Sequence, residues 1–103
     1  MDSELVRTEV DGPVCIITLH RRDKRNAFDL QLTTALNDAL DRFEDDPKLW
    51  VAVLSGGPDM FSAGSDLKEG SGQTDRGGEY GIIRRKRVKP IIAAAEGIAL
   101  GGG

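Results

Sequence analysis

The sequence has 103 residues, of which 30% are charged and 39% hydrophobic, so it can form one small globular domain and is not of disordered composition. Its formal net charge is −3, from 14 basic and 17 acidic residues, which gives no reason to expect nucleic acid as a partner. No apolar run approaches the roughly 18 residues of a membrane-spanning helix, so we expect no membrane partner either.

Cysteine usage and the first residues bear on the cellular compartment. Cys15 is the single cysteine, which excludes an intramolecular disulfide, and its apolar neighbours indicate a core residue rather than a nucleophile. Residues 1–4 (MDSE) lack the basic and apolar sequence that is typical of a signal peptide. We therefore expect a cytoplasmic protein.

The N-terminal quarter predicts a β-hairpin followed by a polar loop. Residues 5–10 alternate between apolar and polar, residues 11–13 (DGP) are a turn signal, and residues 14–19 predict the second strand. The loop over residues 20–25 contains His20, the single histidine. We interpret His20 as a solvated loop residue and keep a general base as the less favoured alternative.

A long helix is predicted next. Asp29 is a suitable N-cap for a helix from Leu30 to about Asp45, where Asp46 and Pro47 end it. Its buried stripe consists of apolar residues at helical spacing, namely Leu32, Ala35, Leu36, Ala39, Leu40 and Phe43. The strand–helix–strand order predicts that the strands on either side of this helix pair in parallel.

The strand after the helix is predicted over residues 50–55 (WVAVLS), and its apolar run is typical of a strand covered on both faces. A glycine-proline stop and a turn of small residues follow, the latter over residues 61–68 (FSAGSDLK). Such a turn lets the backbone approach a ligand and can aim main-chain N–H groups at a developing oxyanion. An ordinary strand-to-helix loop capped by Asp66 is the alternative that these residues leave open.

The remaining third predicts a loop, a helix and a last strand. Four glycines within residues 70–78 indicate a mobile loop, residues 79–88 a short helix, and residues 91–95 a buried strand. Residues 97–103 (GIALGGG) then supply bare backbone. Since two strands end in glycine-marked turns, two N–H donors could lie side by side.

Two basic clusters lie near these turns, over residues 20–25 and 84–89. A solvated face is the favoured interpretation of each. An anion-binding surface, such as one for phosphate, is the alternative.

Three motifs occur in order along the chain: residues 26–28 (NAF), residues 61–68, and residues 89–103 (KPIIAAAEGIALGGG). Through them the sequence resembles the crotonase (enoyl-CoA hydratase/isomerase) family. The resemblance implies an α/β fold of the crotonase-like (ClpP/crotonase) type, a spiral of repeated β-β-α turns. Residues 1–103 would be the N-terminal part of a single such domain, truncated after the second glycine turn.

The resemblance also implies a site. Members of this family bind acyl-coenzyme A thioesters and stabilise the thioester enolate with two backbone N–H groups, which by motif position are those of Ser65 and Gly102. The residues expected around coenzyme A are Lys24, Arg25, Ala27, Ala63, Asp66, Leu67 and Lys68, with the two lysines as phosphate contacts. Coenzyme A would enter as part of the substrate, without a permanent cofactor or a metal.

Several activities share these motifs. Hydration of an α,β-unsaturated acyl-CoA in fatty-acid or related acyl-CoA degradation is the favoured one, carried out by a homotrimer or a hexamer of two trimers. Isomerases, hydrolases and decarboxylases of the same family remain open, because the acid/base glutamates of the hydratases fall beyond Gly103. A non-catalytic acyl-CoA-binding or oligomerisation fragment is the alternative from another class, whereas the terminal glycines lack the Lys-Ser/Thr of a nucleotide-binding P-loop.

Overall fold

Four strands form the main sheet of the protein in a computed structural model, which describes residues 5–58, 60–86 and 88–103. The elements in chain order are β1 (Val6–Asp11), β2 (Val14–Leu19), a 3₁₀ turn (Arg22–Lys24), α1 (Leu30–Asp45), β3 (Val51–Ser55), β4 (Met60–Ser62), β5 (Gln73–Thr74), β6 (Gly78–Glu79), β7 (Ile91–Ala94) and β8 (Ile98–Ala99). The sheet order is β1-β2-β3-β7. The predicted hairpin is confirmed by the antiparallel pairing of β1 with β2, and the predicted parallel pairing across α1 by β2 with β3. β7 also pairs in parallel with β3. Residues 1–4, considered above for a signal peptide, lie outside the described residues.

Helix α1 has the predicted bounds and the predicted cap. The Asp29 carboxylate accepts a hydrogen bond of 2.8 Å from the Leu32 amide, which satisfies one of the free N–H groups at the helix start. The predicted stripe is buried except for Ala35, which is half-buried. It packs into one core with side chains of the sheet, namely Val6, Cys15, Ile17, Leu19, Ala52 and Leu54. Burial of each large side chain contributes about 1.5–3 kcal/mol, so this helix–sheet layer dominates the stability of the fold.

Strand β3 is covered on one face rather than on both, which corrects the sequence prediction. Ala52 and Leu54 are buried in the core with α1, whereas Val51 and Val53 on the opposite face are half-buried. Ile92, the partner of Val53 on β7, is 55% exposed. Trp50 precedes the strand and is also exposed, so the strand begins one residue later than predicted. In the described part of the chain, no helix is long and apolar enough to cross a membrane.

The glycine-rich stretch forms a short hairpin where a mobile loop was predicted. Strands β5 and β6 pair antiparallel, and polar side chains of α1 hold this hairpin. Thr33 Oγ1 donates to the Ser71 carbonyl at 2.6 Å, and Thr74 Oγ1 donates to Asn37 Oδ1 at 2.8 Å. The glycines therefore serve an ordered turn that packs on the helix.

The helix predicted over residues 79–88 is absent from its described residues, which form the end of β6, a series of turns over residues 80–84 and irregular backbone. Tyr80 and Gly81 both have left-handed backbone angles, with φ of 61° and 76°, and two such residues in succession interrupt an α-helix. A Cβ at Gly81 would lie 2.5 Å from the Thr33 carbonyl oxygen, so the close approach of the chain to α1 requires a glycine there. This tertiary contact overrides the local helical preference.

Most described basic residues of the second cluster, over residues 84–89, contact acidic side chains or carbonyls of the protein. The Arg85 side chain is fully buried and its Nη1 lies 2.7 Å from Asp41 and 3.3 Å from Glu44, both on α1. Other described members are also engaged: Arg84 pairs with Glu79, and Lys89 Nζ donates to the carbonyls of Phe43 and Asp46. Lys86 is exposed, and Arg87 lies outside the described residues. Most of the cluster thus forms ion pairs and hydrogen bonds within the protein, chiefly between α1 and the segment that follows β6.

Replacing Arg85 should destabilise the protein far more than replacing its neighbour. Arg85→Leu leaves Asp41 and the buried Glu44 without this cation, and loss of one partner of a buried ion pair costs about 3–5 kcal/mol. We expect a loss near the lower end of that range because Arg76 also contacts Glu44, at 3.2 Å. Arg84→Leu, the matched control in an exposed pair, should cost at most about 1 kcal/mol. The free energy of unfolding in urea measures both, and equal losses would contradict the structural role of Arg85.

Candidate functional site

The residues predicted to be functional gather where the parallel strands end. β2, β3 and β7 run in the same direction; the first two sequence motifs follow β2 and β3, and the third contains β7 and the segment after it. Ligands of open parallel sheets bind outside the carboxyl ends of the strands, where loops from neighbouring strands meet. The candidate site is therefore at this edge of the sheet.

A buried asparagine joins two of these loops. Asn26 is 3% exposed and has a left-handed backbone, with φ of 55°. Its Nδ2 lies within hydrogen-bonding distance of the carbonyls of Gly56 (3.0 Å), Met60 (3.2 Å) and Phe61 (3.0 Å), and its Oδ1 accepts from the Arg21 amide at 2.8 Å. A buried amide is costly unless it is hydrogen-bonded, and here both ends have partners. Asn26 thus fixes the loop after β2 against the loop that precedes β4 and against β4 itself.

Arg21 extends this connection to the predicted oxyanion turn. Its Nη1 donates to the Ala27 carbonyl at 2.7 Å and lies 2.9 Å from Asp66 Oδ2, while its Nη2 lies 3.2 Å from Asp29 Oδ2. All three charged side chains are at most 14% exposed, so solvent screens these contacts only weakly. One guanidinium therefore joins the loop after β2, the start of α1 and the turn that contains Ser65.

The carboxylate of Asp66 caps its own turn. Its Oδ1 accepts hydrogen bonds from the amides of Lys68 (2.9 Å) and Glu69 (3.0 Å). The Glu69 amide first, and then the Arg21 guanidinium, lower the pKa of Asp66 from 3.8 to about 2. Asp66 therefore stays ionised at neutral pH and acts as a cap, which is the role that the sequence left open beside coenzyme A binding.

Two glycine turns bring the predicted donors Ser65 and Gly102 to adjacent segments. β4 pairs in parallel with β8, and the turns after them face each other. A Cβ at Gly64, whose φ is 85°, would lie 2.8 Å from the Leu100 carbonyl oxygen and 3.1 Å from the Gly102 nitrogen. Only glycine permits this approach of the two turns. That the N–H groups of Ser65 and Gly102 act together stays a prediction.

The two predicted donor amides are uncommitted. A bridge between Phe28 and Ser65 uses the Phe28 amide, which donates to Gly64, and the Asp66 amide, which donates to Phe28. Within residues 5–58, 60–86 and 88–103, neither the Ser65 nor the Gly102 amide donates a hydrogen bond. Backbone donors without a partner at a loop cluster are available to a ligand.

A cavity of about 340 Å³ opens beside this turn. Its lining contains Lys24, Ala27, Ala63, Ser65, Asp66, Leu67, Lys68 and Leu100. Six of the seven residues expected around coenzyme A are among them, and Ser65 is too. The exception is Arg25, which lines a neighbouring cavity of about 530 Å³ together with Arg22. The structure therefore groups the predicted binding residues around one space but separates Arg25 from it.

The charges around the cavity are two exposed lysines and one bound carboxylate. Lys24 and Lys68 are exposed, and neither ammonium forms an ion pair with a residue that the structure describes. His20 contacts Arg7 at 3.0 Å and does not line the cavity; burial and the nearby arginines lower its pKa. The described residues contain no group of three metal-ligating side chains. The arrangement is suited to binding an anionic group beside Lys24 and Lys68 and a carbonyl oxygen beside the amides of Ser65 and Gly102.

Sequence reasoning missed two polar groups at this site, those of Tyr80 and Arg21. The Tyr80 hydroxyl lies 2.9 Å from Ser65 Oγ, and its ring stacks on Phe28 with a centroid separation of 4.5 Å. The only signal in the sequence would be a lone tyrosine in a glycine-rich stretch, and that does not reveal which residues it contacts. The same applies to Arg21, which the sequence shows only as one member of a basic cluster.

Comparisons with known proteins were consistent across sequence and structure. Residues 9–103 match the family described as Enoyl-CoA hydratase/isomerase. The chain is 38% identical over 98 residues to a mevalonyl-coenzyme A hydratase of Aspergillus fumigatus, and 40% identical over 109 residues to a carnitinyl-CoA dehydratase of Salmonella enteritidis. These alignments cover 87% and 98% of the chain.

Solved structures show the same likeness in three dimensions. A carnitinyl-CoA hydratase from Mycobacterium avium aligns over 98% of the chain with a TM-score of 0.88 and 38% identity. A probable enoyl-CoA hydratase/isomerase from Mycobacterium abscessus aligns over 97% with a TM-score of 0.87 and 35% identity. The predicted crotonase-like fold is thereby confirmed. The chain spans only 36–42% of the length of these four proteins.

Removing the Asp66 charge should make the stability of the fold depend less on pH in the acid range. Since the pKa of Asp66 is about 2 in the folded protein and near 3.8 otherwise, its ionised form stabilises the fold above about pH 4. This contribution is lost as the pH falls from about 4 towards 2. We expect the Tm of Asp66→Asn, measured over this interval, to fall less steeply than that of the wild type. Asp38→Asn, a control at an exposed position on α1, should keep the wild-type slope; the same slope in all three proteins would contradict this role.

Proposed function

The chain belongs to the enoyl-CoA hydratase/isomerase family, and on that basis we propose that its site binds an acyl-coenzyme A thioester and polarises the thioester carbonyl. The Ser65 and Gly102 amides are the proposed donors to the carbonyl oxygen. An enolate formed from the thioester carries its charge on this oxygen, and preorganised N–H groups stabilise such a charge without reorganising as it develops. The observation that carries the proposal is the pair of uncommitted amides in facing glycine turns.

The cavity next to Ser65 is the proposed place of the coenzyme. Lys24 and Lys68 would attract its phosphates because both are exposed cations on the cavity rim. The backbone at Ala27 and Ala63 and the side chain of Leu67 would border the adenine nucleotide. In this proposal Asp66 acts on the coenzyme indirectly, through the turn that it caps, and Arg25 reaches it only from the neighbouring cavity.

Hydration or dehydration is the proposed reaction class. Two relatives are named as a hydratase and a dehydratase of acyl-CoA compounds, which supports water addition or removal next to a thioester. We further propose that the substrate is an α,β-unsaturated acyl-CoA of fatty-acid or related degradation. A cytoplasmic homotrimer or hexamer, with residues 1–103 as the N-terminal part of one domain, completes the proposal.

Acyl-CoA binding without catalysis is the second candidate, and one observation favours it. Among the described residues that line the cavity, Asp66 is the single carboxylate, and Arg21 and two amides already bind it. A carboxylate with a pKa of about 2 is a poor proton-transfer group at neutral pH. Coenzyme A affinity with no turnover of crotonyl-CoA or of the acyl-CoA substrates of the isomerases, hydrolases and decarboxylases by the full-length protein would select this candidate, whereas turnover would exclude it.

The two lysines should contribute electrostatically to coenzyme A binding. Lys24→Ala and Lys68→Ala should each weaken binding about two- to fivefold at low salt, since each removes one exposed ion pair with a phosphate. The effect should shrink at about 1 M salt, where such charges are screened. Titration calorimetry with coenzyme A, and with dephospho-coenzyme A, which lacks the ribose phosphate, identifies the phosphate that each lysine contacts.

Lys48→Ala is the matched control for these variants. Lys48 is an exposed lysine before β3, at the amino ends of the parallel strands and thus opposite the cavity. Its replacement changes the net charge equally and should leave affinity unchanged. Wild-type affinity in the double variant of Lys24 and Lys68 would exclude the proposed phosphate contacts.

Gly102 should matter through its N–H group. Gly102→Pro removes this donor, and loss of one oxyanion donor lowers turnover by roughly 10²–10³. The added atoms would also overlap the Tyr80 hydroxyl, so Gly102→Ala, which creates the same overlap but keeps the N–H, is the necessary control. We expect the proline variant of the full-length protein to be slower than the alanine variant by about that factor.

A spectroscopic measurement separates this effect from misfolding. Hydrogen bonds to the carbonyl of a conjugated thioester such as hexadienoyl-CoA shift its absorption to longer wavelength. This red shift should persist in the alanine variant and be strongly reduced in the proline variant, with circular dichroism confirming that both are folded. Equal spectra and equal rates in the two variants would exclude Gly102 as a donor.

A further inference from the structure

We propose that Tyr80 is a positioning residue for the oxyanion site, and that it acts through the side chain of Ser65. The inference rests on the proposed function. It assigns a role to a residue outside all three sequence motifs, and it gives the Ser65 hydroxyl a use in addition to that of the Ser65 amide.

Tyr80 contacts both halves of the proposed donor pair. Its Oη lies 2.9 Å from Ser65 Oγ. A Cβ at Gly102 would overlap the same Tyr80 hydroxyl and would lie 2.7 Å from ring carbons Cε2 and Cζ. The phenol therefore occupies the space that a side chain at position 102 would otherwise take. One rigid ring is in contact with the two residues whose amides must be held at a fixed separation.

The ring is itself firmly held. It is 7% exposed and stacks on Phe28 with an interplanar angle of 3°. The backbone of Phe28 makes the two hydrogen bonds on either side of Ser65, of 2.7 Å to Gly64 and 2.8 Å from Asp66. The Phe28 side chain thus supports Tyr80 while its backbone supports the turn, so Tyr80, Phe28 and Ser65 form a closed set of contacts.

The backbone at Tyr80 is strained, and the neighbouring contacts keep it so. A positive φ is unfavourable for a bulky L-residue, and such outliers persist only where the surroundings impose them, often at functional sites. Here Gly81 packs against the Thr33 carbonyl, and the β5–β6 hairpin bonds to α1 through Thr74 and Asn37. The packing of these neighbours therefore holds Tyr80 in an unfavourable backbone conformation, in which its hydroxyl lies next to Ser65.

Tyr80→Phe is the direct test because it removes the hydroxyl and keeps the stacked ring. Turnover of the full-length protein should fall about three- to tenfold, the typical effect of one neutral hydrogen bond, and KM should stay near the wild-type value. The red shift of bound hexadienoyl-CoA should decrease, a change that a merely structural role would not produce. Ser71→Ala removes another hydroxyl from the same segment and should change neither readout, because among the described residues the Ser71 hydroxyl bonds only to the Gly72 carbonyl.

Combination with Ser65→Ala tests the route of the effect. If Tyr80 acts through Ser65 Oγ, the red shift of the double variant should equal that of Ser65→Ala alone. A further decrease in the double variant would overturn the proposal, because the hydroxyl would then contact the thioester itself. An unchanged red shift in Tyr80→Phe would overturn it as well. Absence of any red shift in the wild type would instead refute the proposed function, so the two failures are distinguishable.

Discussion

The arrangement of this protein depends on how the polar backbone of three loops is satisfied beside a parallel sheet. Loops after parallel strands meet at one edge, where their carbonyls would face one another without donors. The Asn26 side-chain amide donates to the carbonyls of Gly56, Met60 and Phe61. The Arg21 guanidinium donates to the Ala27 carbonyl and pairs with two carboxylates. Two side chains from one loop thus hold the site edge in a single geometry.

A consequence is that side chains provide the structure and the backbone is left for the ligand. Arg21, Asp66 and Asn26 all form hydrogen bonds or ion pairs within the protein, whereas the amides of Ser65 and Gly102 donate to no residue in the described part of the chain. Backbone donors are held by the fold and lose no side-chain entropy when a ligand binds. In the proposed function, a site built in this way would polarise a carbonyl independently of the group that later moves a proton, which is consistent with the variety of reactions expected for this family.

The sequence predicted the elements whose signals are local. The Asp29 cap and the apolar stripe from Leu32 to Phe43 determine α1, and the DGP turn determines the hairpin of β1 and β2. The helix predicted over residues 79–88 was wrong because the left-handed angles at Tyr80 and Gly81 arise from contact with Thr33, far away in the sequence. Coverage of β3 was mispredicted for a related reason. An apolar run shows that a strand can be buried, but not which other segment covers each face.

For the site too, the sequence predicted the residues with a local pattern and missed the roles that depend on contacts distant in sequence. The motif residues could be chosen by resemblance, since glycine turns and small residues leave a sequence pattern. The sequence could not show which basic residues pair with acids of the protein and which remain exposed. Lys24, Arg21 and Arg85 all lie in basic clusters, and only their surroundings in the fold distinguish them. Arg85 is buried against two carboxylates, Arg21 lies 2.9 Å from Asp66, and Lys24 remains exposed on the cavity rim. A cation near its own acid is held by the fold. Among the residues that the structure describes, Lys24 and Lys68 have no such acid, and for this reason we propose them as the contacts of an anionic ligand.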